Sequence, residues 1–106
     1  MPQVDVYQRE ITSANILCVE VGTNCPRGGD SGHGGRTVLR LFDYAGTAMA
    51  ASINDSAQLE AKKIEIVCGG DCEHQTLIEA LEFALRVLRG QTQGLAVART
   101  EEIDFE

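Results

Sequence analysis

Apolar and polar residues alternate with period two along four stretches of the chain and with helical period along one. In Asn15–Gly22, Leu17, Val19 and Val21 share one face, and the β-branched content marks a strand. Arg36–Asp43 alternates Val38, Arg40 and Phe42 against Thr37, Leu39 and Leu41. Lys63–Cys68 places Ile64, Ile66 and Cys68 together, and Thr47–Asn54 follows the Tyr44-Ala45-Gly46 turn. Val4–Ile11 adds an edge strand. From Glu73 to Arg89 the period changes. Gln75, Glu79, Glu82, Arg86 and Arg89 recur at spacings of four, three, four and three, forming one narrow polar stripe on a helix. Asp71 is expected as its N-cap and Gly90 as the residue just past its end. The expected fold is α+β: an antiparallel sheet of four to five strands packed against one long helix.

That helix is apolar over most of its circumference, from Leu77 to Leu88. One sheet contact needs a narrower arc, so part of the surplus is expected to form a subunit interface around Phe83 and Val87. A chain of 106 residues suits one domain with a modest core, which oligomerisation would supplement. Residues 1–106 are therefore read as a single domain and a homo-oligomer through the helix. The glycine-rich loop spans 22–36, and 99–106 is an acidic tail.

Composition narrows the function. The formal net charge of −7 disfavours binding to nucleic acid polymers, which depends on many phosphate contacts. No apolar run reaches the ~20 residues of a membrane span, and Met1–Asp5 has neither the basic nor the apolar region of a signal peptide. The expected location is cytoplasmic. The four cysteines are expected as free thiols in that compartment. Basic residues nevertheless cluster. Arg27, Arg36 and Arg40 lie within fourteen positions together with His33. Arginine suits bidentate recognition of phosphate or carboxylate, so this cluster points to a small anionic ligand.

The cluster coincides with the loop Gly22–Arg36, GTNCPRGGDSGHGGR, which holds six of the eleven glycines. Ordered loops of this length in small domains usually carry function. Glycines let successive backbone N–H groups approach an anion. Arg27, Arg36 and the amides of Gly28, Gly29, Gly32, Gly34 and Gly35 would hold phosphates. Ser31 and His33 would add polar contacts, Asp30 would accept ribose hydroxyls, and Arg40 extends the basic cluster. Phe42, Tyr44 or Phe83 would stack on a base. Arg36, rooted in a strand, is expected to anchor the ligand more firmly than Arg27.

Other motifs fail on physical grounds. Gly29-Asp30-Ser31-Gly32 lacks the chain length and partners of a serine protease triad, and no Gly-Lys-Ser/Thr completes a phosphate-binding P-loop. No constellation orients a nucleophile and base, so no catalysis is expected. Cys68, Cys72 and His74, with Cys25 or His33, offer zinc-type ligands at an unfamiliar spacing. A simple meander would put the loop after Gly22 and the turn after Cys68 at opposite ends of the sheet, about 20 Å apart. Neither a metal nor another cofactor is therefore expected.

The blocks Val19–Thr23 and Gly28–Thr37, with Gly69-Gly70-Asp71 and Leu77–Leu85, resemble small bacteriophage and prophage proteins, and among these the Thoeris anti-defence sponge family. That resemblance implies an oligomer that sequesters a cyclic nucleotide-type immune messenger without destroying it, in the host cytoplasm. The alternative expectation is an acidic phage protein that inhibits a host protein by direct contact.

Overall fold

The computed structural model describes residues 3–27, 34–90 and 96–105. Six strands and one helix follow in the order β1 (Tyr7–Ile11), β2 (Ile16–Thr23), β3 (Arg36–Ala45), β4 (Ala50–Ala51), β5 (Leu59–Glu60), β6 (Lys63–Gly69) and α1 (Asp71–Leu88). The main sheet is antiparallel with order β1-β2-β3-β6, and β4 pairs with β5 in a separate two-stranded ladder. The α+β expectation is met.

The pairing register sorts side chains into rows, because directly opposed residues of an antiparallel ladder share a face. On one face run Gln8–Glu20–Arg40–Glu65 and Glu10–Cys18–Phe42–Lys63. On the other run Tyr7–Val21–Leu39–Ile66 and Arg9–Val19–Leu41–Ile64, ending in Thr23–Thr37–Cys68 beside the helix. Among the described residues, the buried hydrophobic side chains are Cys18 and Val38, on the first face. The segment Gln3–Val6 crosses that face so closely that the Asp5 carbonyl and Val4 Cγ1 occupy the space a Cβ on Gly22 would need.

Arg40 lies between two carboxylates, 3.1 Å from Glu20 and 2.6 Å from Glu65, as its row position dictates. The hydrogen bond from Arg40 holds the Glu65 carboxyl below its ordinary 4.5. A lowered carboxylate pKa stabilises the fold above the ordinary value, and the contribution disappears as pH falls through the lowered one. The group is exposed, so the effect is small. Glu65→Gln should therefore melt slightly below wild type at pH ~6, and the gap should close by pH ~3 in thermal melts. A gap that stays constant over this range would contradict the ladder.

Thr47–Asn54 does not form a full strand. After β3 the Thr47 amide donates to Asp43 Oδ1 at 3.0 Å and turns the chain out of the sheet. Asn54 and Asp55 then take positive φ of 54° and 63°, and Ser56 closes the turn on the Ile53 carbonyl at 3.0 Å. Only Ala50–Ala51 pairs, with β5, so β6 becomes the direct neighbour of β3. The edge strand near the N-terminus is shorter than expected, covering Tyr7–Ile11.

The helix begins at the expected N-cap itself, so the cap lies one residue earlier. Gly70 caps it at φ 127°, with no side-chain cap bond, and Asp71 is the first helical residue. At the far end Gly90 donates to the Val87 carbonyl at 3.0 Å. α1 touches the sheet through β3 and β6, and no residue of it is buried. No helix among the described residues is long and apolar enough to cross a membrane. Residues 96–105 carry no regular structure, and Gln58 Nε2 donates to the Asp104 carbonyl at 2.9 Å.

Candidate functional site: the fastened base of the glycine loop

Removal of residues 47–62 from the main sheet changes which ends meet. β2 ends, β3 begins and β6 ends at the same edge, as the pairs Thr23↔Thr37 and Arg36↔Gly69 show. The loop leaving β2 and the turn entering α1 are therefore adjacent, contrary to the meander expectation. The physical reason is strand parity. With one strand fewer in the sheet, β6 runs parallel to β2 and delivers its C-terminal end to the same side.

Bonds among Thr23, Asn24, Cys25, Gly34, Arg36 and Thr37 fasten the loop base. Asn24 Oδ1 accepts the Arg36 amide at 2.7 Å, and its Nδ2 donates to the Gly34 carbonyl at 2.9 Å. The Asn24 amide donates to the Arg36 carbonyl at 3.1 Å, which also accepts from Thr23 Oγ1 at 3.0 Å. Thr23 Oγ1 accepts the Cys25 amide at 3.2 Å and lies 2.9 Å from Thr37 Oγ1. An asparagine supplies both an acceptor and a donor, so one side chain closes both strands of the loop.

The helix turn joins this base. The Gly70 amide donates to the Gly35 carbonyl at 2.8 Å, and the Arg27 amide donates to Asp71 Oδ1 at 3.3 Å. Asp71 thus spends its carboxylate on the loop, which explains why it is not the cap. A Cβ on Gly35 would come within 2.5 Å of Asp71 Oδ1, so a larger residue would push that carboxylate away from the Arg27 amide. The Cys25 thiol reaches the Gly70 carbonyl at 3.7 Å. Although Cys25, Cys68 and Cys72 belong to neighbouring segments, no group of three or more His, Cys, Asp or Glu among the described residues is placed to hold a metal.

Beside the base lies a polar pocket of about 380 Å³ lined by Gln3, Asp5, Thr23, Asn24, Cys25 and Arg27. Its lining combines amide, hydroxyl and guanidinium donors with one carboxylate. The volume falls in the lower range of small-molecule sites.

The residues expected to bind ligand separate into three groups. Arg27, Gly34, Gly35 and Arg36 meet at the base. Gly28, Gly29, Asp30, Ser31, Gly32 and His33 lie outside the described residues. Arg40 and Phe42 sit further along β3, roughly 13 and 20 Å from Arg36 at the rise of an extended strand. Arg40 is engaged by Glu20 and Glu65, and Phe42 lies under Lys63, whose Nζ is 5.5 Å from the ring centroid. Arg36 is half-buried, and its Nη1 donates to the Gly35 carbonyl at 2.7 Å. Gln3, Asp5, Thr23 and Asn24 went unnoticed in the sequence. The Asn24 signal was present, since asparagine next to a glycine-rich loop commonly bonds backbone groups.

Comparison of the chain with family models, curated proteins and solved structures returns no match.

Proposed function

We propose that the protein binds and sequesters a small phosphorylated ligand without transforming it. The polar pocket at the fastened loop base carries this reading. Arg27 supplies the guanidinium for a phosphate, Gln3 and the second hydrogen of Asn24 Nδ2 supply neutral hydrogen bonds, and Asp5 accepts a sugar hydroxyl. Arg36 lends the site rigidity through its bonds to Asn24 and Gly35. The roles of the two arginines are thereby exchanged relative to the sequence expectation. The resemblance to anti-defence sponges extends the proposal to a cyclic nucleotide-type immune messenger as ligand.

Calorimetric titration with a panel of cyclic and linear nucleotides tests it. Wild type is expected to bind at least one member. Arg27→Ala should weaken that binding by about one to two decades, the cost of one charge-assisted contact, with an unchanged melting temperature. Equal binding by Arg27→Ala would remove Arg27 from the site. Binding of no nucleotide by wild type would overturn the reading and leave the acidic protein-contact alternative, which the net charge of −7 favours.

A further inference from the structure

The N-terminal part of α1 and the sheet beneath it leave a cavity of about 260 Å³. Leu77, Ile78 and Leu81 form its helix wall, and Tyr7 and Val21 form its sheet wall. Thr23 and Thr37 line the end nearest the loop base. Tyr7, Val21, Ile78 and Leu81 are exposed, so the cavity opens to solvent on their side. The helix wall continues a turn further back to His74, which also lines the cavity. His74, Leu77, Ile78 and Leu81 follow the spacing of a single inward stripe. A polar ring therefore stands at the one position of this stripe where the pattern calls for another apolar side chain.

The hydrogen bonds around the cavity show which polar groups remain for a ligand. Thr23 Oγ1 donates to the Arg36 carbonyl at 3.0 Å, so the 2.9 Å bond between the two threonines takes its proton from Thr37. Both hydroxyl protons are spent. The His74 side chain makes no hydrogen bond or ion pair among the described residues. A neutral imidazole carries one N–H donor and one nitrogen acceptor, and both are uncommitted here. An apolar lining with one orienting polar group is the composition of a small-molecule site. Size narrows the occupant. A dry cavity of about 150 Å³ takes up benzene, roughly 25 Å³ per carbon, and at that ratio this cavity takes about ten heavy atoms.

We propose that this cavity binds a neutral, fused two-ring aromatic molecule carrying one hydroxyl or ring N–H, whose hydrogen bonds the His74 imidazole. A fused ring is favoured over an alkyl chain of equal size because it loses no torsional freedom on binding, and the Tyr7 ring offers it an aromatic contact. The net charge of −7 disfavours an anion. A purine would leave most of its nitrogens unpaired between these walls, so the ligand is more apolar than a nucleobase. The polar pocket at the loop base shares only Thr23 with this cavity, and the inference stands without the phosphorylated-ligand reading.

Titration with indole and with indene, its hydrocarbon isostere, followed by nuclear magnetic resonance, decides it. In wild type the indole ring protons should show Overhauser contacts to the methyls of Val21, Leu77, Ile78 and Leu81, and none to those of Leu88 or Val97. Ile78→Trp fills the cavity with its own ring and should lower indole affinity at least about tenfold. His74→Leu should weaken indole about three- to tenfold, the value of one neutral hydrogen bond, and should not weaken indene. Binding of neither molecule by wild type would overturn the proposal. So would indole affinity that survives Ile78→Trp, or a His74→Leu variant that changes indole and indene alike. If Ile78→Trp does not fold, the wild-type contacts decide, and contacts spread over exposed methyls including Leu88 would reject the site.

Discussion

Replacing Asn24 with alanine is expected to unfasten the glycine loop and lower the melting temperature by roughly 5–15 °C. The side chain accepts the Arg36 amide at 2.7 Å and donates to the Gly34 carbonyl at 2.9 Å, across twelve and ten residues of chain. Truncation leaves a part-buried amide without its acceptor and a carbonyl without this donor. Such losses cost about 1–3 kcal/mol, more than the net value of an ordinary hydrogen bond. The effect extends beyond stability, because Asn24 also lines the polar pocket. Asn24→Asp separates the two bonds: it keeps the acceptor for Arg36 and loses the donor to Gly34. It should fall between wild type and alanine in differential scanning calorimetry. An alanine variant that melts with wild type would show that the loop closes without this residue.

Gly22→Ala is the second large effect expected, for a steric reason. Gly22 lies within β2, where a glycine is ordinarily a liability, and a Cβ there would overlap the Asp5 carbonyl and press on Val4 Cγ1 at 3.1 Å. The neighbour is backbone and cannot swing aside as a side chain would. Either the segment Gln3–Val6 lifts from the sheet or β2 shifts, at a cost of about 1–3 kcal/mol. Lifting the segment also removes Gln3 and Asp5 from the pocket. Amide exchange should therefore become faster in residues 3–6 and at the neighbouring ladder positions, together with a lower melting point. Unchanged exchange in that segment would mean that it does not rest on Gly22 in solution.

These two residues illustrate a difference in kind between the candidate site and the fold. The site consists of backbone approach and amide closure, and both depend on which segments meet. Gly22 and Gly35 resemble the other glycines of the loop in the sequence. Only the crossing segment shows that Gly22 must be glycine, and only the α1 entry shows that the space over Gly35 is taken by Asp71. Arg27 and Arg36 were legible as a pair, since arginines around glycines carry a chemical meaning without structure. Their division of labour was not, because it depends on Arg36 bonding Gly35 while Arg27 lines the pocket. Arg40 looked like a third member of the cluster until the register placed Glu20 and Glu65 on either side of it.

By itself the sequence determined the secondary structure of the sheet core and the helix. Period-two alternation in β2, β3 and β6 and the polar stripe of α1 are local patterns, set by which side chains can share a face. It also determined that the helix carries more apolar surface than one contact can use. Tertiary structure alone decided strand parity, which residues share the loop base, and where the apolar surplus lies. Those outcomes turn on Ala50–Ala51 leaving the main sheet, which reverses the end at which β6 meets the loop. A two-residue ladder and a side-chain turn at Asp43 compete with a full strand by small free energies, and no local pattern in Thr47–Asn54 reveals the winner. The helix likewise announces its surplus locally, but the cavity that Leu77, Ile78 and Leu81 line with Tyr7 and Val21 is a relation between distant residues, and only the assembled chain contains it.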